Sequence, residues 1–114
     1  METEKIISWA DFDHVRIHVG TVLSAEPFLE AVKPAYKLTI DFGPLGVRKT
    51  SAQITMRYGL PELVGRQVLA VTNFPAKRIA GFKSEVLVLG AVPGEGDVVL
   101  VQPDEKVPDG TRIK

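Results

Sequence analysis

Cysteine is absent from the 114 residues, which removes disulfides, thiolate metal sites and cysteine catalysis together and argues against a disulfide-stabilised secreted module. Long apolar runs are absent too, so nothing predicts a membrane span. The opening Met1-Glu2-Thr3-Glu4-Lys5 places acid where a signal peptide needs a basic stretch, and a cytoplasmic protein is the expectation. Net charge of either sign is missing, fourteen Lys and Arg balancing fourteen Asp and Glu, which argues against coating nucleic acid through bulk charge. The length suits one domain, residues 1–114, with its own core.

The chemistry of an enzyme is also missing. His14 and His18 have helical metal spacing, but on the strand this segment resembles they lie ~13 Å apart, too far to share an ion. Gly94-Glu95-Gly96 lacks the third glycine and the following helix of a dinucleotide loop. Asp11 with Asp13, and Glu95 with Asp97, have no apolar setting to split their pKa values and read as caps and turn residues. Ser51 and Ser84 lack a nucleophile-elbow context. The reading is not an enzyme, with no catalytic residue, no metal and no cofactor.

What is present is alternation. Val15, Ile17 and Val19 alternate with Arg16, His18 and Gly20 in a pattern running on to Pro27, a long strand with one buried face, and mid-strand Gly20 is read as a bend or bulge. Tyr36, Leu38, Ile40 and Phe42 repeat the pattern, and Gly43-Pro44-Leu45-Gly46 supplies a turn before a strand from Val47 to Ile54. Ser8 to Phe12 reads as a helical turn capped by Ser8 and Asp11, and Tyr58 to Gly65 as a short helix with Pro61 in its first turn. Arg66 to Asn73, Ser84 to Val92 and Val98 to Gln102 complete a set of about five strands, the last two joined by the turn at Pro93 to Asp97. The fold class is mainly β, a five-stranded Greek-key barrel of the OB type with short helices and terminal extensions. Val86 to Leu89 and Val98 to Val101 are apolar on both faces, so the terminal segments around Trp9 and Val107, or a second copy of the chain, are expected to cover the outer one.

Charge is segregated along the chain. Nine cations lie between Lys33 and Lys83, opposed only by Asp41 and Glu62, a distribution that gives a neutral protein a local positive field unless the barrel scatters it. Arg48, Lys49, Lys77, Arg78 and Lys83 are the candidate phosphate contacts of a nucleic-acid surface. Phe74 and Phe82 flank a cation-rich loop. They line an apolar cleft for an extended polypeptide, together with Tyr36 and Ile54, or else anchor the loop. Gln53, Asn73 and Ser84 offer hydrogen bonds to a base edge or a peptide backbone, or satisfy barrel ends.

Phe12 with Val15 to Val22, Lys33 to Gly43, Ser51 to Thr55, Gly65 to Val68, Asn73 to Lys77 and Ser84 to Gly90 together resemble the tRNA-binding-domain family, in particular its stand-alone CsaA-like branch, related to the C-terminal domain of some methionyl-tRNA synthetases. The resemblance covers essentially the whole chain. It implies an OB barrel, and a homodimer to which residues 1–13 and 103–114 contribute, with Trp9, Phe12, Val98, Leu100 and Val107 at the seam. It also implies an ATP-independent cytoplasmic chaperone that binds unfolded preproteins for export and the export motor SecA. The alternative within the same family is a structure-selective tRNA-binding protein. The wider family carries an Arg-Gly pair and a Ser-x-Gly-Met segment where this chain has Ala80-Gly81-Phe82 and Ser84-Glu85-Val86, a change that weakens a phosphate grip.

Overall fold

The alternating stretch after Arg16 organises the molecule. In the computed structural model, which describes residues 4–114, Ile17–Pro27 form the eleven-residue strand β1. Tyr36–Asp41 (β2) pairs antiparallel with its second half, and Val47–Ala52 (β3) pairs with β2. Gln67–Val71 (β4) pairs with the first half of β1, and the short strand Leu87–Val88 (β7) follows it in the sheet order β3-β2-β1-β4-β7. Lys77–Ile79 (β5) and Phe82–Ser84 (β6) form one hairpin, and Gly90–Gly94 (β8) and Asp97–Leu100 (β9) another. Arg112–Ile113 (β10) adds to β1.

The sheet curls until its ends meet. Glu85 N–H donates to the Lys49 carbonyl at 2.8 Å, the Thr50 hydroxyl to the Val86 carbonyl at 2.6 Å, and Ser51 N–H to the Ser84 hydroxyl at 3.1 Å. This seam produces the nearly closed, mainly β barrel of OB type that the strand pattern predicts. Inside it Val22, Leu38, Ile40, Phe42, Leu63, Val68 and Ala70 are almost fully buried. Each comes from the apolar register of its strand or from the turn that plugs the barrel end, so burial follows the period-2 pattern.

The helix α1, Trp9–Asp13, starts as its sequence requires: Ser8 Oγ accepts from Asp11 N–H, and Asp11 Oδ2 accepts from Ser8 N–H, both at 3.0 Å.

Several expectations need correction. Gly20 is not the bulge; the register shifts at Leu23, between Val22 and Ser24. Gly20 is needed instead for close approach, because a Cβ there would lie 2.6 Å from Ile40 Cγ2 and 2.7 Å from the Phe42 ring. The helix expected from Tyr58 to Gly65 is only a 3-10 turn, Leu60–Glu62, capped by Gly59 N–H donating to Glu62 Oε1 at 2.7 Å and followed by Gly65 at φ +87°. Ser84 to Val92 is not one strand but parts of β6, β7 and β8, because the chain crosses from β3 to β4: Glu85 N–H bonds Lys49, and Leu89 N–H bonds Leu69. The β5–β6 hairpin was not predicted. It turns on Ala80 and Gly81, both with positive φ, as a two-residue hairpin loop favours.

The C-terminal segment is held against β1 and β4. Gln67 grips Val107 in both directions, donating from Nε2 to its carbonyl at 2.7 Å and accepting from its N–H at 3.2 Å. The Thr21 hydroxyl then holds Asp109 Oδ1 at 2.5 Å, and Gly110 N–H donates to the Val19 carbonyl at 2.7 Å. The C-terminal segment is thereby tied to its own barrel. At the other end Trp9 is 92% exposed; residues 1–3 of the expected extension lie outside the described residues.

Candidate binding cavity

Just beyond the seam the wall of the barrel parts. The chain leaving β3 (Gln53, Ile54) and the chain leaving β6 (Glu85 to Val88) form two lips, and between them lies a cavity of about 460 Å³. Phe74, Pro75, Lys77 and Ile79 close one side and Val98 of β9 another. The volume falls in the range of small-ligand sites, and the lining is mainly apolar: the main exceptions are Ser51, Gln53, Lys77, Ser84 and Glu85. Two of these are already engaged, since Ser84 Oγ accepts from Ser51 N–H at 3.1 Å and Glu85 Oε1 accepts from Lys49 N–H at 3.0 Å. The described residues contain two ion pairs, Arg57–Asp97 and Asp13–Arg112, and neither involves a cavity residue. Lys77, which lines the cavity, therefore has no ion-pair partner among the described residues.

Of the residues assigned from sequence to a polypeptide cleft, Gln53, Ile54, Phe74 and Ser84 line this cavity. Phe74 is 55% exposed and stands at its mouth, whereas Ile54 is buried at its base. Tyr36, Asn73 and Phe82 lie elsewhere. Tyr36 packs against the core and donates its hydroxyl to the Tyr58 carbonyl at 2.7 Å. Asn73 accepts from Arg16 N–H at 3.0 Å and donates to the His14 carbonyl at 2.7 Å, tying the chain before β1 to the end of β4. Phe82 stacks edge-on against buried Phe28 at 5.4 Å, with Lys37 Nζ over both rings at 4.8 and 5.2 Å. Loop anchoring, the second option read for the two phenylalanines, describes Phe82 and not Phe74.

The candidate phosphate contacts divide. Lys77, Arg78 and Lys83 sit on the exposed β5–β6 hairpin, Arg78 directly opposite Lys83. Like charges so placed cost stability unless an anion joins them. Arg78 also donates to the Gly81 carbonyl at 3.3 Å. Arg48 is drawn to the Leu45 carbonyl at 3.3 Å. Lys49 borders a smaller polar hollow of about 240 Å³ with Ser24, Glu26, Lys37, Thr39 and Phe82.

Among the residues expected at a dimer seam, Trp9 and Phe12 are exposed beside an apolar hollow closed by Asp13, Arg112 and Lys114. Leu100 is buried in the core, and its N–H donates to the Tyr58 hydroxyl at 3.0 Å. Val98 lines the cavity and Val107 is clamped by Gln67.

Pro75, Ile79, Val86, Leu87 and Val88 line the cavity and were not assigned to it from sequence. For Val86, Leu87 and Val88 the signal was the two-faced apolar run at 86–89. No group of three or more His, Asp or Glu among the described residues could hold a metal ion. No helix among them is long and apolar enough to cross a membrane.

A small OB-type barrel with an open apolar cavity at its seam, lined by one cation, Lys77, belongs to the class of binding modules. The family described as "Putative tRNA binding domain" matches residues 17–112, and the chain belongs to that family. It is similar to the chaperone CsaA of Bacillus anthracis at 55% identity, with TM-score 0.93, covering 96% of this chain and all of that one. The CsaA chaperone protein of Picrophilus torridus is 47% identical over the same shares, with TM-score 0.89. Among curated relatives the methionine–tRNA ligase of Porphyromonas gingivalis is 35% identical over 108 residues, 95% of this chain but only 16% of the ligase's length.

Proposed function

We propose that this protein is an ATP-independent chaperone that holds unfolded preproteins for export, acting in the cytoplasm as a homodimer and handing its cargo to the SecA motor. The observation that carries the reading is the cavity of about 460 Å³ with half-exposed Phe74 at its mouth and Ile54, Val86 and Val88 within. An extended polypeptide places an apolar side chain in such a space and leaves its backbone at the polar lips, where Gln53 is exposed. The similarity to two proteins described as CsaA chaperones supports the same reading. In a dimer each cavity occurs twice, and two modest sites on one unfolded chain gain affinity through effective concentration. The exposed face carrying Trp9 and Phe12 is the proposed seam.

Titration of a fluorescently labelled unfolded presecretory peptide, followed by a chase with bulk tRNA at near-physiological salt, tests the proposal. Saturable anisotropy that survives the chase supports it. Absence of peptide binding, with salt-sensitive capture of labelled tRNA in the reciprocal titration, would transfer the function to tRNA and to the Lys77, Arg78 and Lys83 hairpin. Light scattering of the eluted protein checks the dimer.

A further inference from the structure

The two ends of the chain meet on β1. Ile17 and His18 are in register with Ile113 and Arg112 of β10. The Arg112 guanidinium reaches on to the end of α1, where Nη2 donates to both the carbonyl and Oδ1 of Asp13 at 3.0 Å. On the β4 side His18 Nδ1 lies 2.8 Å from Thr72 Oγ1, and Thr72 N–H and its hydroxyl both donate to the Arg16 carbonyl, at 2.8 and 3.2 Å. The single Thr72 hydroxyl proton goes either to that carbonyl or to Nδ1, so the donor in the His18–Thr72 bond follows the imidazole tautomer.

The charged groups around His18 are cations: Arg112 on β10, Arg16 just before β1 and Arg48 on β3. The nearby carboxylate, Asp13, is already held by Arg112. Arg112 is itself incompletely satisfied, because its Nε is buried without a hydrogen-bond partner. A second positive charge here adds repulsion where one cation is already short of partners. Burial first, and then these guanidiniums, push the His18 imidazole below the usual histidine value of 6.5.

We propose that His18, the Asp13–Arg112 pair and β10 form an acid-sensitive clasp: protonation of His18 releases β10 and α1 from the barrel while the barrel stays folded. A group whose folded pKa is depressed contributes its full stability above the unfolded value and loses it as pH falls through the folded one. The clasp is therefore closed above about pH 6.5 and opens on mild acidification. Asp13 titrates in a separate, lower window, since the hydrogen bond and charge of Arg112 hold its carboxyl below the usual 3.8. The apolar core of the barrel does not titrate with His18, since Leu38, Ile40 and Val68 carry no titratable group.

Hydrogen exchange followed by NMR on the full chain from about pH 7 to 5, with rates corrected for their intrinsic pH dependence, tests the clasp. The reporters are the amides of Gly110 and Val19, which bond across it. The expected result is a loss of protection at Gly110 and Val19 of roughly tenfold or more, with Leu38 and Ile40 unchanged. His18→Gln abolishes the change and His14→Gln retains it. Flat protection at Gly110 across this range, or an unaltered transition in His18→Gln, overturns the proposal. Should His18→Gln fail to fold, the ring resonances of His18 in the parent decide: their midpoint coincides with the exchange transition if the clasp is real, and a different midpoint overturns it.

Discussion

Thr50 and Val86 join the two ends of the curled sheet through one side chain: the buried Thr50 hydroxyl donates to the Val86 carbonyl at 2.6 Å. Threonine is the single buried polar residue among those described, and its hydroxyl also lies 3.1 Å from Ser84 Oγ. Thr50→Val keeps the shape but strands the Val86 carbonyl, at an expected cost of about 1–3 kcal/mol. Thr50→Ser retains the donor and costs less. Urea denaturation of the two variants distinguishes a seam held by this hydroxyl from one held by packing alone.

Gly20→Ala tests the close approach inside the barrel. The new methyl meets Ile40 and Phe42 side chains that are themselves fully buried. Overpacking of this kind costs about 1–3 kcal/mol, visible as a lower denaturation midpoint with an unchanged slope. An unchanged midpoint would mean that Phe42 has room to move.

Phe74→Ala separates binding from stability. The ring is half exposed at the cavity mouth, so its removal leaves the denaturation midpoint nearly unchanged, within roughly 0.5 kcal/mol. Affinity for an unfolded peptide falls, by about tenfold if the ring contributes what a well-placed aromatic contact does at an interface. Phe82→Ala shows the opposite pattern, because that ring packs on Phe28 under the Lys37 ammonium.

Ala80→Asn improves the hairpin turn. Ala80 has φ +47°, a region in which a residue with a Cβ sits at a cost of about 1–2 kcal/mol. Asn-Gly is the favoured pair for a turn with two positive φ angles. A rise in melting temperature is expected, and a fall would show that the turn adjusts around alanine.

Mild acid leaves the Arg57–Asp97 pair intact. The Arg57 hydrogen bond holds the Asp97 carboxyl below its usual 3.8, so this contribution is present above that value and lost only as pH falls below it. Arg57→Gln removes this part of the acid dependence, and stability curves of the two proteins converge at low pH. Because both groups face water, the effect at neutral pH is small.

The barrel was legible in the sequence where one side chain in two points inward, as in β1, β2 and β3. It was illegible from Ser84 to Val92, where a continuous apolar run reads as one strand although its amides change partners from Lys49 to Leu69. The β5–β6 turn was hidden because alanine occupies a position that sequence rules reserve for glycine or asparagine. The cavity was half legible. Exposed aromatics and polar donors near Phe74 pointed to it, but Tyr36 and Asn73 belong to the same residue types and spend their hydrogen bonds on the chain's own backbone. Composition marks which side chains are able to recognise a partner; only the fold shows which are still free.

Asn73 has a consequence for the ring that follows it. Its amide is fixed at both ends, to Arg16 N–H and to the His14 carbonyl, so the backbone entering Phe74 is anchored before any ligand arrives. A half-exposed aromatic on a loose loop would lose conformational freedom on association and return part of its contact energy. Here that ordering is done during folding, and the entropy of the Phe74 backbone is already spent when the cavity is filled.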